Sequence, residues 1–127
     1  MKQIRALIMD DSSVMRKIVE RTLRQAGVEL ECVLEAANGH EGLDLLERHP
    51  VDLILSDVNM PSMDGLEFLR QLRGRNLAPQ TPVVMITTEG SEEQVRQAVQ
   101  AGAQGYIRKP FTVEQIKQRI VPLVSTG

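Results

Sequence analysis

Short runs of Val, Ile and Leu recur along this chain, each followed by a longer segment with apolar residues at helical spacing, and that alternation leaves few folds open. A continuous apolar run suits a strand buried on both faces, and strands separated by helices imply a parallel sheet covered by those helices. Five such units can be traced. The first strand, β1, is expected at Arg5–Met9, and the helix after it, α1, places Val14, Ile18, Val19, Leu23 and Ala26 on one stripe before Gly27 stops it. Strand β2 is expected at Cys32–Ala36, and helix α2 follows Gly39 with Leu43, Leu45 and Leu46, ending before Pro50 because the residue ahead of a proline disfavours helix. Strand β3 is expected at Leu53–Ser56, with a loop over 57–64, then helix α3 marked by Leu66, Phe68, Leu69 and Leu72. Pro82 opens strand β4, whose apolar run is Val83–Ile86. Ser91 with Gln94 three residues on forms a capping box for helix α4, whose Val95, Ala98 and Val99 form a stripe ended by Gly102. Gly105–Arg108 reads as strand β5, and Thr112 with Gln115 repeats the capping box for helix α5, where Pro122 is expected to end or kink the helix.

Consecutive parallel strands need right-handed crossovers, so five such units imply an α/β protein: a doubly wound five-stranded parallel sheet, order 2-1-3-4-5, in a three-layer (βα)5 sandwich. At 127 residues, 42% hydrophobic and 25% charged, the chain has the size and composition of one ordinary globular domain, and 1–127 is read as that single domain with no output domain attached. Fifteen Lys and Arg against seventeen Asp and Glu give a net charge of -2, which supplies no basic field for a phosphate backbone and speaks against nucleic acid as a direct partner. The single cysteine, Cys32, cannot form an internal disulfide, the first apolar run meets Asp10 and Asp11 too soon for a signal peptide, and no stretch is long enough for membrane insertion. A cytoplasmic protein is therefore expected.

The chemistry lies at the strand ends. Asp10 and Asp11 follow β1, Asp57 follows β3, Thr87 ends β4 and Lys109 ends β5. In an open parallel sheet all four ends share one edge, and ligands bind there, where the winding reverses between β1 and β3. Three carboxylates crowded at one spot raise one another's pKa unless a cation neutralises them. All the candidate ligands are hard oxygens, which argues for Mg²⁺, or Mn²⁺ in its place, and against zinc. Mg²⁺ completes its octahedron with water and phosphate oxygens, so the pocket suits a phosphoryl group, with a carboxylate as covalent acceptor, Lys109 as fixed cation and Thr87 as hydroxyl donor.

The runs MDDSS at 9–13, LILSDVNMPSMDGLEFL at 53–69, VVMITTEG at 83–90 and GYIRKPF at 105–111 strongly resemble response-regulator receiver domains, most closely CheY-like chemotaxis regulators, over nearly the whole chain. The resemblance implies the flavodoxin/CheY-like fold and a two-component signalling role: a sensor histidine kinase supplies the phosphoryl group, and a downstream protein target reads the result through α4, β5 and α5. It implies that Asp57 is the phosphoacceptor, and that Mg²⁺ is held by Asp11, Asp57 and the backbone carbonyl of Asn59, with Asp10 reaching it through water. It further implies that Lys109 pairs with the phosphoryl oxygens and precedes a cis peptide to Pro110, and that Thr87 and Tyr106 form the switch. Asn59 and Glu89 flank the expected path of the attacking water and resemble regulators with fast dephosphorylation. Two positions depart from the pattern. Thr88 stands where alanine is common, so it is expected to crowd the inward path of Tyr106, and Pro122 interrupts the last helix.

Bland readings stand beside these. Any one of the aspartates alone is more often a helix cap, and Asp11 or Ser12 could simply cap α1. Thr87 and Tyr106 are ordinary strand residues by composition. Met9, Met15 and Met85 read as core, Met60 and Met63 as loop packing, His40 and His49 as solvated, and Arg70, Arg73 and Arg75 as a solvated cationic end of α3. It is the coincidence of Asp, Thr and Lys at four strand ends that favours chemistry.

The chain is expected not to be an enzyme beyond its own aspartyl phosphorylation and dephosphorylation. Within the receiver reading it could also be a phosphorelay intermediate or a receiver excised from a larger regulator. A Mg²⁺-dependent aspartyl-phosphate phosphatase of the haloacid-dehalogenase type places two Asp one residue apart after one strand and needs a cap, whereas Asp10 and Asp11 are adjacent. A flavodoxin-like FMN binder needs an anion-welcoming loop after β1, where this chain carries two carboxylates.

Overall fold

The computed structural model describes residues 3–88 and 91–124. Five strands and five helices alternate: β1 Ile4–Met9, α1 Ser13–Gln25, β2 Leu30–Ala36, α2 Gly39–Arg48, β3 Leu53–Asp57, α3 Gly65–Gly74, β4 Val83–Thr87, α4 Glu92–Gln100, β5 Gly105–Arg108 and α5 Val113–Val124. All neighbouring strands pair in parallel, in the order β2-β1-β3-β4-β5. This is the doubly wound (βα)5 architecture that the alternating pattern predicts.

Alternation of side chains along each strand splits the core in two. Leu7, Met9, Ile54, Val83 and Met85 face one side and pack with Leu43, Leu46, Phe68, Leu69, Leu72 and Ala98 from α2, α3 and α4. Ala6, Ile8, Leu53, Leu55, Val84, Ile86 and Ile107 face the other side and pack with Val19, Leu23, Ile116 and Ile120 from α1 and α5. Strands β3 and β4 are buried throughout, as continuous apolar runs between two helical layers must be.

Side-chain caps set the helix starts. Ser12, Asn38, Asp64, Ser91 and Thr112 each accept a backbone N–H from three residues on, and at α5 the box is reciprocal: Gln115 Oε1 takes the Thr112 N–H at 3.0 Å. Since Ser12 caps α1, Asp11 is not needed there.

Some expectations are corrected or narrowed. Val14 and Ile18 are 68% and 38% exposed, so the buried stripe of α1 is Val19, Thr22 and Leu23, and Val99 on α4 is likewise 60% exposed. Of the two outcomes expected at Pro122, an end to α5 is excluded, because the helix runs on to Val124. Pro122 and Gln118 both face solvent, so the carbonyl that the missing donor leaves free can bond water, while Ile116, Ile120 and Val124 hold the buried face in place. Arg73 is not a solvated cation: its guanidinium donates to the carbonyls of Ala78, Thr81 and Gly102 at 3.1, 3.3 and 3.2 Å, tying the end of α3 to the turn before β5. Met60 and Met63, in the loop between β3 and α3, do pack as expected, and they do so inside the core cluster that holds Phe68.

Candidate functional site

At the carboxyl edge of the sheet, oxygens of Asp10, Asp11 and Asp57 lie within 4.8 Å of one another. Asp10 and Asp57 are buried, whereas Asp11 is exposed at the rim. The parallel register explains the meeting. Met9 pairs with Ser56 and Asp57 with Ile86, so the residues that leave β1, β3 and β4 emerge at one level.

Lys109 arrives from the last strand. Its Nζ donates to Asp10 Oδ2 at 2.8 Å and to Asp57 Oδ2 at 3.2 Å, and its own N–H bonds the Thr87 carbonyl at 2.8 Å, anchoring the ammonium over the pocket. The Lys109–Pro110 peptide is cis, as the resemblance implies. Thr87 ends β4 fully buried, one residue past the partner of Asp57. Asn59 is exposed beyond β3, and its N–H approaches Asp57 Oδ1 at 3.3 Å. Tyr106 stands apart from this group: it pairs in register with Met85, is half-buried, and its hydroxyl lies 3.3 Å from Gln94 Oε1 on α4. Glu89 lies outside the described residues, and Thr88 beside it is exposed.

The electrostatics show a pocket short of positive charge. Burial pushes the Asp57 carboxyl above its usual range; the charge and hydrogen bond of Lys109 and the Asn59 N–H oppose the rise, and Asp10 adds to it. For Lys109, burial acts to lower the ammonium pKa, but the hydrogen bond to Asp10 and the charges of Asp57 and Asp10 together hold it above the ordinary lysine value. Among the described residues, Lys109 pairs with Asp10 and Asp57, and Asp11 has no ion-pair partner. A divalent cation suits the deficit, and the oxygen-only donor set suits Mg²⁺. The three carboxylates are close enough together for one divalent ion to be held among them.

Three further residues shape the pocket, and none was singled out in the sequence. A Cβ on Gly65 would overlap the Asp57 carbonyl oxygen, so only glycine lets α3 start this close to β3. The hydroxyl of Ser56 donates to that same carbonyl at 2.9 Å. Arg16, in the first turns of α1, donates from Nη1 to the Asp10 carbonyl at 2.6 Å and from Nε to Glu35 Oε1 at 2.8 Å. The Asp64-Gly65 pair after the long loop was a sequence signal for a tight approach, whereas bonds to main-chain carbonyls leave no mark on the residue that accepts them.

Comparison with known proteins identifies the family. Residues 6–121 match the family model described as response regulator receiver domain. A chemotaxis protein CheY homolog of Campylobacter jejuni is 39% identical over 98% of this chain and 95% of its own length, and the chemotaxis protein CheY1 of Helicobacter pylori is 38% identical over 98% and 99%. The solved structure of chemotaxis protein CheY4 from Vibrio cholerae superposes with a TM-score of 0.83 at 37% identity, covering 96% of this chain and 99% of that one.

Proposed function

The chain belongs to the response regulator receiver domain family, and from that premise we propose that it is a phosphorylation-activated regulator of chemotaxis type, taking a phosphoryl group onto Asp57 and presenting the change to a protein partner. The observation that carries this reading is the Lys109 ammonium bridging the buried carboxylates of Asp10 and Asp57, with Asp11 in reach of both. The relatives named for chemotaxis support the choice of pathway class.

Asp10, Asp11 and Asp57, with the carbonyl of Asn59, would hold Mg²⁺, which supplies charge neutralisation and a clamp for phosphoryl oxygens when bound. Asp57 is the nucleophile. One of its carboxylate oxygens forms a bond to phosphorus as the bond to the donor imidazole of a kinase phosphohistidine breaks, and the imidazole leaves with the electron pair. Lys109 turns its ammonium from the carboxylates toward the new phosphoryl oxygens, and the Thr87 hydroxyl donates to another. Water later attacks phosphorus, the bond to Asp57 breaks and inorganic phosphate leaves. By the family resemblance, Asn59 and Glu89 set the rate of that step. No other reaction is needed, so the protein is a switch rather than an enzyme acting on other molecules.

Moving a two-state population from 1:99 to 99:1 takes about 5.5 kcal/mol, whereas a hydrogen bond to a charged group contributes about 1.5–3 kcal/mol. Two new contacts, from Thr87 and Lys109, only just reach that, so the switch completes when a partner also binds. The face that reports it is α4, β5 and α5, where Val95, Tyr106, Arg108, Gln115 and Arg119 line a groove of about 480 Å³. Tyr106 links this groove to the pocket by turning inward behind Thr87.

Intact mass after incubation with acetyl phosphate and Mg²⁺ tests the chemistry. One added phosphoryl group is expected on the wild-type protein and none on Asp57→Asn; equal labelling of the two would remove Asp57 from its role. Capture of a partner by beryllofluoride-treated protein, weakened by substitution of Tyr106, is the matching test of the output face.

A further inference from the structure

Asp10 is held at four points. Its N–H donates to the Ala36 carbonyl at 3.1 Å, its Oδ1 accepts the Ser12 N–H at 2.9 Å, its Oδ2 accepts Lys109 at 2.8 Å, and its carbonyl accepts Arg16 Nη1 at 2.6 Å. The last contact comes from a guanidinium whose Nε is fixed at 2.8 Å by Glu35, and Glu35 in turn takes Lys17 Nζ on its other oxygen at 2.8 Å. The Arg16 and Glu35 side chains are only 16% and 27% exposed, a less screened setting than that of an ordinary surface pair. Lys17 and Arg16 together hold the Glu35 carboxyl below its usual range, chiefly through their hydrogen bonds.

We infer that Arg16, braced by Glu35, is a positioning residue for the metal site: by gripping the Asp10 carbonyl it fixes the plane of the Asp10–Asp11 peptide and so the place from which the Asp11 carboxylate reaches a divalent ion. This inference rests on the receiver reading above. Asp11 is the exposed member of the cluster, and the neighbouring helix cap is made by Ser12. Main-chain restraint on its Asp10 side comes from Ala36 and Arg16. The Lys109 bond is of a different kind, because Lys109 must turn to the phosphoryl group and release Asp10. Among the described residues, the hydrogen bonds of Arg16 go only to main-chain carbonyls and Glu35, none of which must move when the pocket fills. Lysine cannot replace it, since one ammonium on a flexible stem does not reproduce a planar group using separate nitrogens for a carboxylate and a carbonyl.

The direction of the effect separates positioning from simple charge. Arg16 is a cation beside a cation site, so charge alone predicts that Arg16→Met binds Mg²⁺ more tightly, with Arg16→Lys like wild type. Positioning predicts that both variants bind more weakly, by about tenfold, in the range for lost outer-shell partners of metal ligands. Glu35→Gln, which keeps the Arg16 contact to Asp10 but loosens its brace, is expected to weaken binding less, in the same direction.

The test is Mg²⁺ titration calorimetry on the full chain, with Mn²⁺ binding by electron paramagnetic resonance as a second readout and circular dichroism melts without metal as the fold control. The sequence contains no Trp for a fluorescence assay. Weaker binding in Arg16→Met and Arg16→Lys with the fold retained supports the inference; unchanged or tighter binding in either overturns it. If the Arg16 variants do not fold, Glu35→Gln decides, and wild-type affinity there overturns it. Wild-type protein that binds no Mg²⁺ and takes no phosphoryl group ends the receiver reading and this inference together, whereas a wild type that does both beside variants of equal affinity ends this inference alone.

Discussion

Strands β3 and β5 both carry residues of the proposed switch, yet they are packed in opposite ways. β3 runs between β1 and β4 with all five residues buried and a helical layer on each face. β5 is an edge strand with a single neighbour, and of its four residues only Ile107 is buried. Chemistry needs a carboxylate that stays in place against like charges, and the central strand supplies it. A reporter needs a side chain with somewhere to go, and the half-buried Tyr106 on the edge strand, facing the loosely covered α4, supplies that. On the proposed mechanism, placement in the sheet separates the part that must be rigid from the part that must move.

The contrast can be broken by substitution. The largest stability loss is expected beneath the central strands: Phe68→Ala should cost about 3–5 kcal/mol in urea unfolding, the range for a buried aromatic truncated in a packed core. Val99→Ala on α4 should stay within about 0.5 kcal/mol, since that side chain is largely in solvent. Comparable losses at the two sites would mean that the edge is as tightly built as the centre.

Next comes Gly65→Ala, whose new methyl would press on the Asp57 carbonyl. A loss of about 1–3 kcal/mol is expected from overpacking, with a slower uptake of phosphoryl from acetyl phosphate measured on the folded fraction. Gly74→Ala, where nothing lies within reach of the added carbon, is the control and should leave uptake unchanged.

The smallest effects concern pH, and the two carboxylates differ in sign. Asp57 has its folded pKa raised, first by burial, so the folded state binds the extra proton and stability contributed by that group falls as pH rises from below its ordinary value through the folded one. Without metal, Asp57→Asn should therefore be the more stable protein at neutral pH, and Mg²⁺ should raise the melting temperature of wild type but not of the variant. Glu35 has its folded pKa lowered by Lys17 and Arg16, so its contribution is present above the ordinary glutamate value and fades as pH falls through the lower folded one. Glu35→Gln should flatten the acid limb of the stability profile. Melting curves across pH, with and without Mg²⁺, check both signs.

Much of the strand order and the strand-end convergence was legible because continuous apolar runs mark buried parallel strands, and the polar residue after each run must then emerge on one edge. Helix faces were less legible. Val14 and Ile18 look like core by type, but at about 100° per residue they point roughly a quarter-turn or more away from Val19, Leu23 and Ala26, and the structure leaves them in solvent. Val99 fails in the same way against Ala98. Arg16 and Arg73 were illegible for a different reason. Their partners are carbonyls of Asp10, Ala78, Thr81 and Gly102, and every residue has a carbonyl, so the sequence around the acceptor carries no signal. Gly65 sits between these cases, since its position after Asp64 suggests a helix start but not the overlap with Asp57 that demands glycine.

Borohydride reduction after treatment with acetyl phosphate, followed by peptide mapping, locates an acyl phosphate directly, because only the modified carboxyl is reduced to an alcohol. The reduced side chain should map to position 57, should require Mg²⁺ during phosphorylation, and should vanish when Lys109 is replaced by Ala. Reduction at Asp10 or Asp11, or equal reduction at Asp57 with all divalent metal chelated, would contradict the account.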